Sequence, residues 1–461
     1  MRLATSPAMI LPGALVSLAG LELLTRFTGL RMFQDMAWGL MLLVILLSAR
    51  RLSLRDIYLI GASTVLAVLV LLTQQASLTI LQGAMDQAAF LMAFILLLGA
   101  LNATAKTSPS VAVMGEYLTR QPPGRRYFAL NGGTSVLAIL FNVGVVSFLV
   151  PLIQQGIQRA APGDVLNPIR EQRQISALLR GFAWSVTWSP TALAPLIVAD
   201  LIPGVQRSEW IGYGSALFIT LMILGWLEDR LKFRAYRPRQ GRVLMAFPKQ
   251  AALRFAATTG WFLLLVLFFV WLFDESAVFG VVAACPFMVV DWVAAQTGTK
   301  GLRPRLQDMV SKDLPASVNV AVTLAASGFI GRAAAGLTPA AEVAEYLGLA
   351  TMPDWLMLAL IPPFLTLFSL LAVSPTMMAV FMGSFFAALP ALPADATLIA
   401  FSISCGWALS MTFSPFATVV LLVANASGIP ARKLTWGWSF GFTVIAAVVC
   451  FPVFYLLTGG H

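Results

Sequence analysis

The chain has 461 residues and a net charge of +10, with 59% hydrophobic and only 11% charged residues. A soluble domain has about 25% charged residues, so this composition excludes an ordinary soluble protein and indicates a polytopic membrane protein. The basic residues lie in short loops between apolar runs, a distribution typical of membrane topology rather than of nucleic-acid binding. The three cysteines form no CxxC pair and the only histidine is the last residue. Neither a disulfide framework nor a thiolate metal site is therefore predicted.

Apolar runs of membrane-spanning length recur along the whole chain. Because about 20 apolar residues cross a bilayer as a helix, the sequence predicts an all-α polytopic membrane fold with eleven transmembrane helices. The predicted spans are 8–25, 36–49, 56–73, 85–105, 176–201, 211–227, 256–273, 277–295, 315–336, 397–426 and 434–457. Two further apolar stretches, 127–153 and 355–392, are interrupted in the middle. They are predicted to be re-entrant helical hairpins, each entering and leaving the membrane on one side.

The charges of the loops predict the orientation of the chain. One set of loops carries most of the Lys and Arg residues, and it comprises 50–55, 106–126, 228–254, 298–314 and 430–433. The other set contains no Lys or Arg, and it comprises 74–84, 274–276, 338–353 and 393–396. Arg26, Arg31 and Arg207 are exceptions to this division. The positive-inside rule predicts a protein of the cytoplasmic (inner) membrane with its N-terminus inside and its C-terminus outside.

An internal repeat relates residues 183–200, AWSVTWSPTALAPLIVAD, to residues 408–425, ALSMTFSPFATVVLLVAN, with nine of eighteen positions identical. Each copy places hydroxyls and a proline inside an apolar segment. This pattern predicts a helix broken at mid-depth, because proline removes a backbone N–H and lipid offers no replacement partner. Each half of the chain follows the order span, short arm, hairpin, broken helix, span, and the two halves have opposite orientations. Inverted repeats of this kind are typical of secondary transporters.

The repeat predicts four regions along the chain. They are N-terminal scaffold helices at 1–84, a first repeat at 85–227, a basic cytoplasmic loop at 228–254, and a second repeat at 255–457 that begins with two scaffold helices.

Many polar side chains of the predicted membrane region lie in the hairpins and at the breaks. Asn142 lies in the middle of the first hairpin and Ser374-Pro375-Thr376 in the second. Hydroxyl and carbonyl oxygens suit a hard cation such as sodium, and helix N-termini favour an anionic group. The candidate substrate ligands are Asn142, Thr187, Ser189, Ser374, Thr376, Thr412 and Ser414. The candidate cation ligands are Asn142, Ser185, Thr187, Ser374, Thr376, Ser410 and Thr412.

A purely structural interpretation of these residues stays open. In that interpretation Asn142 closes the hairpin tip, Pro375 forms a turn, and the Ser and Thr hydroxyls bond to their own helices.

Charged residues inside the spans are few. Arg180 precedes the first broken helix and is the one candidate partner for an anion, whereas Arg332, Asp291, Asp86 and Asp200 lie near span ends. Proton coupling needs a buried carboxylate, and none is predicted at mid-depth. Sodium coupling or uncoupled exchange is therefore favoured over proton coupling.

This plan resembles the ion transporter superfamily, and within it the divalent anion:sodium symporter family of dicarboxylate and citrate carriers. That family has a Ser-Asn-Thr motif at each hairpin tip, followed by a proline. Phe141-Asn142-Val143 keeps only the Asn, with Pro151 nine residues after it, and Ser374-Pro375-Thr376 keeps the Ser and the Thr. The family's Thr-Pro-Pro-Asn-like turn is replaced by Thr187-Trp188-Ser189-Pro190 and by Thr412-Phe413-Ser414-Pro415.

The resemblance implies elevator-type alternating access. It also implies two sodium sites, one formed by Asn142 with 185–190 and the other by 374–376 with 410–415.

The sequence therefore predicts a secondary active transporter of a small organic anion, foremost a carboxylate. It would act as a homodimer in the lipid bilayer and would need no cofactor, apart from sodium ions if transport is sodium-coupled. One alternative is an exporter of a neutral, amphipathic or metalloid substrate on the same fold, and another is a non-transporting membrane subunit or a membrane-embedded enzyme. An enzyme should show clustered His, Glu or Asp near a membrane face, and the sequence has no such cluster. The sequence also has no Walker A loop, so ATP-driven transport by this chain alone is not predicted.

Overall fold

The computed structural model describes residues 7–236 and 245–460, and within these ranges the chain is helical and contains no strand. The helices of the first half are α1 Pro7–Thr28, α2 Arg31–Ser48, α3 Leu54–Thr73, α4 Ser77–Lys106, α5 Pro109–Thr119, α6 Pro123–Phe141, α7 Gly144–Ala160, α8 Asn167–Ser185, α9 Leu193–Leu201 and α10 Arg207–Lys232. Those of the second half are α11 Lys249–Phe273, α12 Ala277–Asp308, α13 Leu314–Ala316, α14 Val318–Leu337, α15 Ala340–Tyr346, α16 Asp354–Leu370, α17 Pro375–Ala387, α18 Ala396–Phe413, α19 Thr418–Ser427 and α20 Phe440–Leu457. A 3-10 turn at Ala49–Arg51 and π-helical segments at Met309–Asp313 and Lys433–Ser439 join some of them.

Ten helical segments of the described chain are long and apolar enough to cross a membrane. This confirms an all-α polytopic membrane protein. The ten segments correspond to ten of the predicted spans. The remaining span, predicted at 176–201, is divided into α8 and α9 by residues 186–192.

Both predicted hairpins are pairs of helices joined by a short turn. In the first, α6 and α7 are separated only by Asn142 and Val143, and in the second, α16 and α17 are separated by residues 371–374. The 13 residues of α17 extend about 20 Å at 1.5 Å per residue. That length falls short of a hydrocarbon core of about 30 Å, so α17 alone does not have the length of a crossing helix.

The end of α10 differs from the sequence prediction. The span predicted at 211–227 continues as helix to Lys232. Glu228 and Asp229, which the sequence analysis assigned to the basic loop 228–254, are therefore helical residues. Residues 237–244 of that loop lie outside the described ranges.

Helices α1–α4, α12 and α14, with most of α11, belong to one compact unit, unit one, which comprises the chain up to residue 108 together with 257–339 and 380–385. In this unit α14 packs against α3 and α4 through small side chains such as Ala84, Ala88, Ala321 and Ala325. Small residues let transmembrane helices approach closely, which is the usual basis of helix packing in a bilayer.

Unit two comprises residues 109–256, 340–379 and the chain from 386 onward. It holds α5–α10, α15, α16 and α18–α20. Within it α6 packs on α8, and α16 packs on α18. Each hairpin therefore lies against the broken helix of its own repeat.

The open ends of the two hairpins lie at opposite ends of unit two. In the first hairpin, the Gln154 side chain donates to the Ser427 carbonyl at 2.9 Å, at the end of α19 that leads into α20. In the second hairpin, the Trp355 ring packs on Tyr455 at the other end of α20. This arrangement is the inverted relationship that the repeat predicts.

Candidate functional site

The tip of the first hairpin is a turn in which Asn142 has an unusual backbone conformation. Its φ of 46° and ψ of −136° lie in a region that costs a residue other than glycine about 1–3 kcal/mol. The Asn142 side-chain oxygen accepts a hydrogen bond from the Val143 N–H at 2.8 Å, and the Asn142 N–H donates to the Ala138 carbonyl at 2.7 Å. Asn142 is half-buried. The amide thus closes the tip, and the strain that it tolerates makes it a candidate functional residue.

The tip of the second hairpin contains a residue of the same kind, Ala372, with a φ of 62°. Ser374 follows, and its hydroxyl accepts a hydrogen bond from the Met377 N–H at 3.1 Å. Pro375 is the first residue of α17. A serine cap followed by proline is a favourable helix start, so Ser374-Pro375 begins α17, and the buried Thr376 lies in its first turn.

The hydroxyls at the ends of α8 and α18 bond mainly within their own helices. Ser185 and Thr187 each donate to the carbonyl three residues earlier, at 2.7 and 2.8 Å. Ser410 donates to the carbonyl four residues earlier at 2.8 Å, and Thr412 to the carbonyl three residues earlier at 3.0 Å. These are the local bonds of the structural interpretation. Each oxygen still has lone pairs with which it can accept a further bond.

Thr187 and Thr412 also reach the span that follows each broken helix, α10 in the first repeat and α20 in the second. The Thr187 hydroxyl lies 3.4 Å from the Gly214 carbonyl of α10, and the Thr412 hydroxyl accepts a bond of 3.0 Å from Thr443 of α20. Gly214 permits this approach, because a Cβ at that position would overlap the Thr187 carbonyl. Thr187 and Thr412 occupy the same position in the repeat, so equivalent threonines contact the next span, one through a backbone carbonyl and the other through a hydroxyl.

A second pair of hydroxyls joins each broken helix to its hairpin. Thr191 donates to the Ile139 carbonyl at 2.7 Å, and Ser414 donates to the Ser369 carbonyl, also at 2.7 Å. Ile139 and Ser369 each lie three residues before the positive-φ residue at the tip of their hairpin. The two bonds, hereafter the tip links, therefore connect equivalent points of the two repeats.

The two breaks differ in length, and this changes which residue forms the tip link. The first break spans 186–192 and the second spans 414–417. Ser189 is aligned with Ser414 in the repeat, but its hydroxyl lies 3.4 Å from that of Thr191. In the longer break, Thr191 reaches the hairpin instead.

Glycines at equivalent positions bring each hairpin arm close to its broken helix. Gly181 of α8 and Gly406 of α18 are related by the same offset as the repeat. A Cβ at 181 would overlap the Asn131 carbonyl of α6, and a Cβ at 406 would lie 3.0 Å from the Leu365 side chain and 3.1 Å from the Pro362 backbone of α16. These contacts place the two tips beside the two breaks.

Arg180, the candidate partner for an anion, already has a negative partner. Its Nη1 atom lies 2.8 Å from Oε2 of Glu228, its Nη2 atom donates to the Trp438 carbonyl at 3.4 Å, and its guanidinium lies 4.4 Å from the centre of the Phe442 ring. The side chains of Arg180 and Glu228 are 3% and 16% exposed. The structure therefore contains an ion pair between a buried guanidinium and a partly buried carboxylate where the sequence suggested a lone arginine.

Carboxylates with little exposure occur in both units. Glu228 of α10 is partly buried, and Glu22 of α1 is 2% exposed and accepts a hydrogen bond of 2.9 Å from Gln34. The preference for sodium over protons stays a prediction. Glu228 was missed because the sequence placed the end of α10 too early.

The predicted residues form two half-sites in unit two. Half-site one combines the turn at Asn142 with residues 185–191, and half-site two combines the turn at 371–376 with residues 410–416. Helix α18 packs against both α8 and α9, so the first break lies beside the second broken helix. The contribution of Ile139 could not be predicted from the sequence, because this residue supplies only its backbone carbonyl and its apolar side chain does not indicate a polar contact. Within residues 7–236 and 245–460, no three His, Cys, Asp or Glu side chains gather as a metal-binding group.

Comparison with known proteins gives a fold but no family. No family model matches the chain, and neither does any curated protein. Among solved structures, the chain is similar to the YdaH transporter of Alcanivorax borkumensis, with a TM-score of 0.52 and 13% identity over 88% of this chain and 98% of that one. At this identity the likeness shows that the two chains share a fold and nothing more. The resemblance to the divalent anion:sodium symporter family stays a prediction.

Proposed function

We propose that the chain is a secondary transporter of the cytoplasmic (inner) membrane that moves a small organic anion, with carboxylates as the substrate class. The observation that carries this proposal is the pair of equivalent half-sites, each built from a hairpin tip and a broken helix and each closed by a tip link. Broken helices leave backbone groups that lipid cannot satisfy. Secondary transporters retain them because these groups bind substrates and ions.

The ligands in this proposal are oxygens. Asn142 with Thr187 and Ser189, and Ser374 and Thr376 with Thr412 and Ser414, would contact the substrate. Sodium would bind through Asn142, Ser185 and Thr187 in half-site one and through Ser374, Thr376, Ser410 and Thr412 in half-site two. Oxygen donors of this kind are what a hard cation prefers.

The proposed movement is of the elevator type, with unit two as the moving body. Both half-sites belong to unit two, so a substrate held between hairpin tips and breaks would travel with that body. Unit one, with α1–α4 and α12, would be the static part and the place of contact in a homodimer. The orientation follows the loop charges, with the N-terminus inside and the C-terminus outside.

A second candidate is export of a neutral, amphipathic or metalloid substrate. Residues 185–191 and 410–416 contain no Lys or Arg, and the charge of Arg180 is balanced by Glu228. An anion would therefore depend on hydroxyls and on helix N-termini, such as that of α17, for its recognition. A substrate without charge would not need a cationic partner.

The test is the thermal stability of the purified protein against a panel of carboxylates and other small anions, in sodium or in choline. A ligand that binds only the folded state raises the apparent Tm by mass action. We expect a carboxylate to raise the Tm in sodium and to raise it less in choline. No shift with any anion or with sodium would contradict the anion proposal and favour the second candidate.

Thr187→Ala and Thr412→Ala supply the variant test, with Thr366→Val of α16 as a control. Thr366 is buried and donates to a carbonyl of its own helix, but it belongs to neither half-site. We expect the two half-site variants to lose the ligand-dependent shift and the control to keep it. If the two half-site variants keep the ligand-dependent shift as the control does, the assignment of Thr187 and Thr412 to a ligand site is contradicted.

A further inference from the structure

Unpaired buried polar atoms concentrate in one part of unit two. More than about 90% of buried polar atoms in proteins have a hydrogen-bond partner, and an exception calls for a water molecule or an ion. The described chain has fourteen buried side-chain atoms without a partner, and nine of them lie on or beside α6 and α8. The nine are Tyr127 Oη, Asn131 Oδ1, Thr134 Oγ1, Gln174 Oε1, Ser176 Oγ, Arg180 Nε, Trp184 Nε1, Trp188 Nε1 and Ser439 Oγ.

Most of these atoms form two rows. On α6 the row is Tyr127, Asn131 and Thr134, at spacings of four and three residues, which place them on one face of the helix. On α8 the row continues into the first break, and its members are Ser176, Arg180, Trp184 and Trp188 at spacings of four residues.

The two rows meet along the contact between α6 and α8, hereafter the α6–α8 seam. The Asn131 side-chain amide donates to the Ala177 carbonyl of α8 at 3.3 Å. Tyr127 Oη lies next to the Arg180 guanidinium and interacts with it, but the contact does not have the geometry of a good hydrogen bond. The two helices are close, yet most of these polar atoms do not satisfy one another.

A small cavity opens at the end of the seam that carries Tyr127. Its volume is about 10 Å³, and it is lined by Pro123, Arg126, Tyr127, Arg173 and Asp229. A cavity of roughly 10–15 Å³ holds about one water molecule.

We propose that the α6–α8 seam binds a file of water molecules that runs from this cavity, past Arg180, to the first break. The chemistry of the unpaired atoms selects water over an ion. Asn131 Oδ1 and Gln174 Oε1 are acceptors, Arg180 Nε and Trp184 Nε1 are donors, and the hydroxyls are both. A cation would satisfy only the acceptors and an anion only the donors, whereas water satisfies the two kinds together.

The spacing along the helices also fits water. Four residues of helix rise about 6 Å, and two hydrogen bonds of about 2.8 Å that meet at a tetrahedral water join groups about 4.5 Å apart. One or two water molecules per step therefore link successive members of each row. The file reaches half-site one beside Trp188 and passes Glu228, where it places exchangeable protons next to a partly buried carboxylate. This inference does not depend on the identity of the substrate.

X-ray radiolysis labelling, in which bound water is converted to hydroxyl radicals that oxidise adjacent side chains, tests the inference directly. Trp184 is 1% exposed and Trp407 of α18 is 7% exposed, so exposure alone predicts equal or faster labelling of Trp407. We expect Trp184 and Tyr127 of the full-length protein to be oxidised several times faster than Trp407. Labelling of Trp184 no faster than that of Trp407 would overturn the proposal.

Isosteric substitutions give a second test that depends on the sign of a Tm change. Ser48 of α2 is fully buried and its hydroxyl is also unpaired, but it belongs to unit one, whereas the seam belongs to unit two. Ser48→Ala should raise the Tm, because it deletes a polar atom that nothing satisfies. Thr134→Val and Tyr127→Phe should instead lower the Tm by about 1–3 °C, because each removes a partner of bound water. A rise in Tm for Thr134→Val, like that of Ser48→Ala, would contradict the proposal even if Tyr127→Phe fails to fold.

Discussion

Two residues other than glycine hold the hairpin tips in backbone conformations that side chains disfavour. Asn142 has a φ of 46° and Ala372 a φ of 62°. Asn142 gains a contact in return, because its side-chain oxygen accepts from the Val143 N–H. Ala372 has only a methyl group and gains no such bond. The strain of about 1–2 kcal/mol expected for a left-handed residue is therefore uncompensated at Ala372.

Ala372→Gly should raise the free energy of unfolding by about 0.5–1 kcal/mol, because relief of strain exceeds the entropy that glycine adds to the unfolded chain. Ala359→Gly, inside α16, is the matched control and should lower it by about 1 kcal/mol. The measurement is the thermal unfolding midpoint of both variants in detergent. A loss of stability for Ala372→Gly as large as that of the control would contradict the strain argument.

The tip links should be costly to remove. Thr191→Val leaves the Ile139 carbonyl without its donor, and Ser414→Ala does the same for Ser369. An unsatisfied buried acceptor costs about 1–3 kcal/mol. Ser404→Ala is a control, because the Ser404 hydroxyl donates to a carbonyl of its own helix at 3.0 Å. This substitution should lower the free energy of unfolding by less than about 1 kcal/mol. Equal unfolding midpoints for the three variants would show that the tip links stabilise the protein no more than a hydrogen bond within one helix does.

The Arg180–Glu228 pair should behave as a buried ion pair. Glu228→Gln leaves the guanidinium without its counter-charge, which costs about 3–5 kcal/mol for a buried pair. Adding Arg180→Met should recover much of this loss, because the unpaired charge is then absent. The exposed pair of Arg120 and Glu116, 2.6 Å apart, gives a control. Glu116→Gln should lower the free energy of unfolding by less than about 1 kcal/mol. An equal loss of stability at both pairs would contradict the view that Arg180 and Glu228 act as a buried ion pair.

At the scale of elements, the second break depends on Pro415. This residue has no N–H to continue the helix of α18, so the chain turns at 414–417. Pro415→Ala restores that donor and should let α18 extend across the break.

We expect Pro415→Ala to keep or raise the Tm of the free protein. The carboxylate concentration that produces a given Tm shift should rise by at least about tenfold. Pro452→Ala, inside α20 and outside both half-sites, should leave that shift unchanged. An unchanged carboxylate-dependent Tm shift in Pro415→Ala would show that the second break does not contribute to ligand binding.

At the scale of the whole molecule, the compact units do not follow the boundaries of the repeats. Helices α4 and α14 are the spans that precede the arm in each repeat, yet both pack within unit one. The reason is their complementary surfaces, since Ala88 and Ala325 belong to a core of small side chains between them. In a bilayer, where lipid is as apolar as the protein, close packing of small residues decides which helices associate.

The inverted arrangement predicts that the two arms lie on opposite sides of the membrane. Arg120, just after α5, and Glu345, in α15, are both exposed. With the three native cysteines replaced by alanine, Glu345→Cys should react with an impermeant maleimide applied to the outside of cells. Arg120→Cys should react only after permeabilisation. Labelling of both from the same side would contradict the inverted topology.

The sequence by itself determined the elements. Apolar length, proline, glycine and the repeated Thr-x-Ser-Pro are local signals, and they predicted both hairpins, both breaks and an all-α membrane fold. Because a helix satisfies its backbone within a few residues, these features need no knowledge of distant contacts. The loop charges likewise predict the orientation without any structure.

Only the tertiary structure decided which groups meet. Thr191 rather than Ser189 reaches Ile139, which is 52 residues away, and Arg180 finds Glu228 at a separation of 48 residues. The donor at the first tip link depends on the length of the break, and the partner of Arg180 depends on where α10 ends. Neither is encoded in residue type or spacing, because a hydrogen bond or an ion pair forms wherever packing brings a donor and an acceptor together.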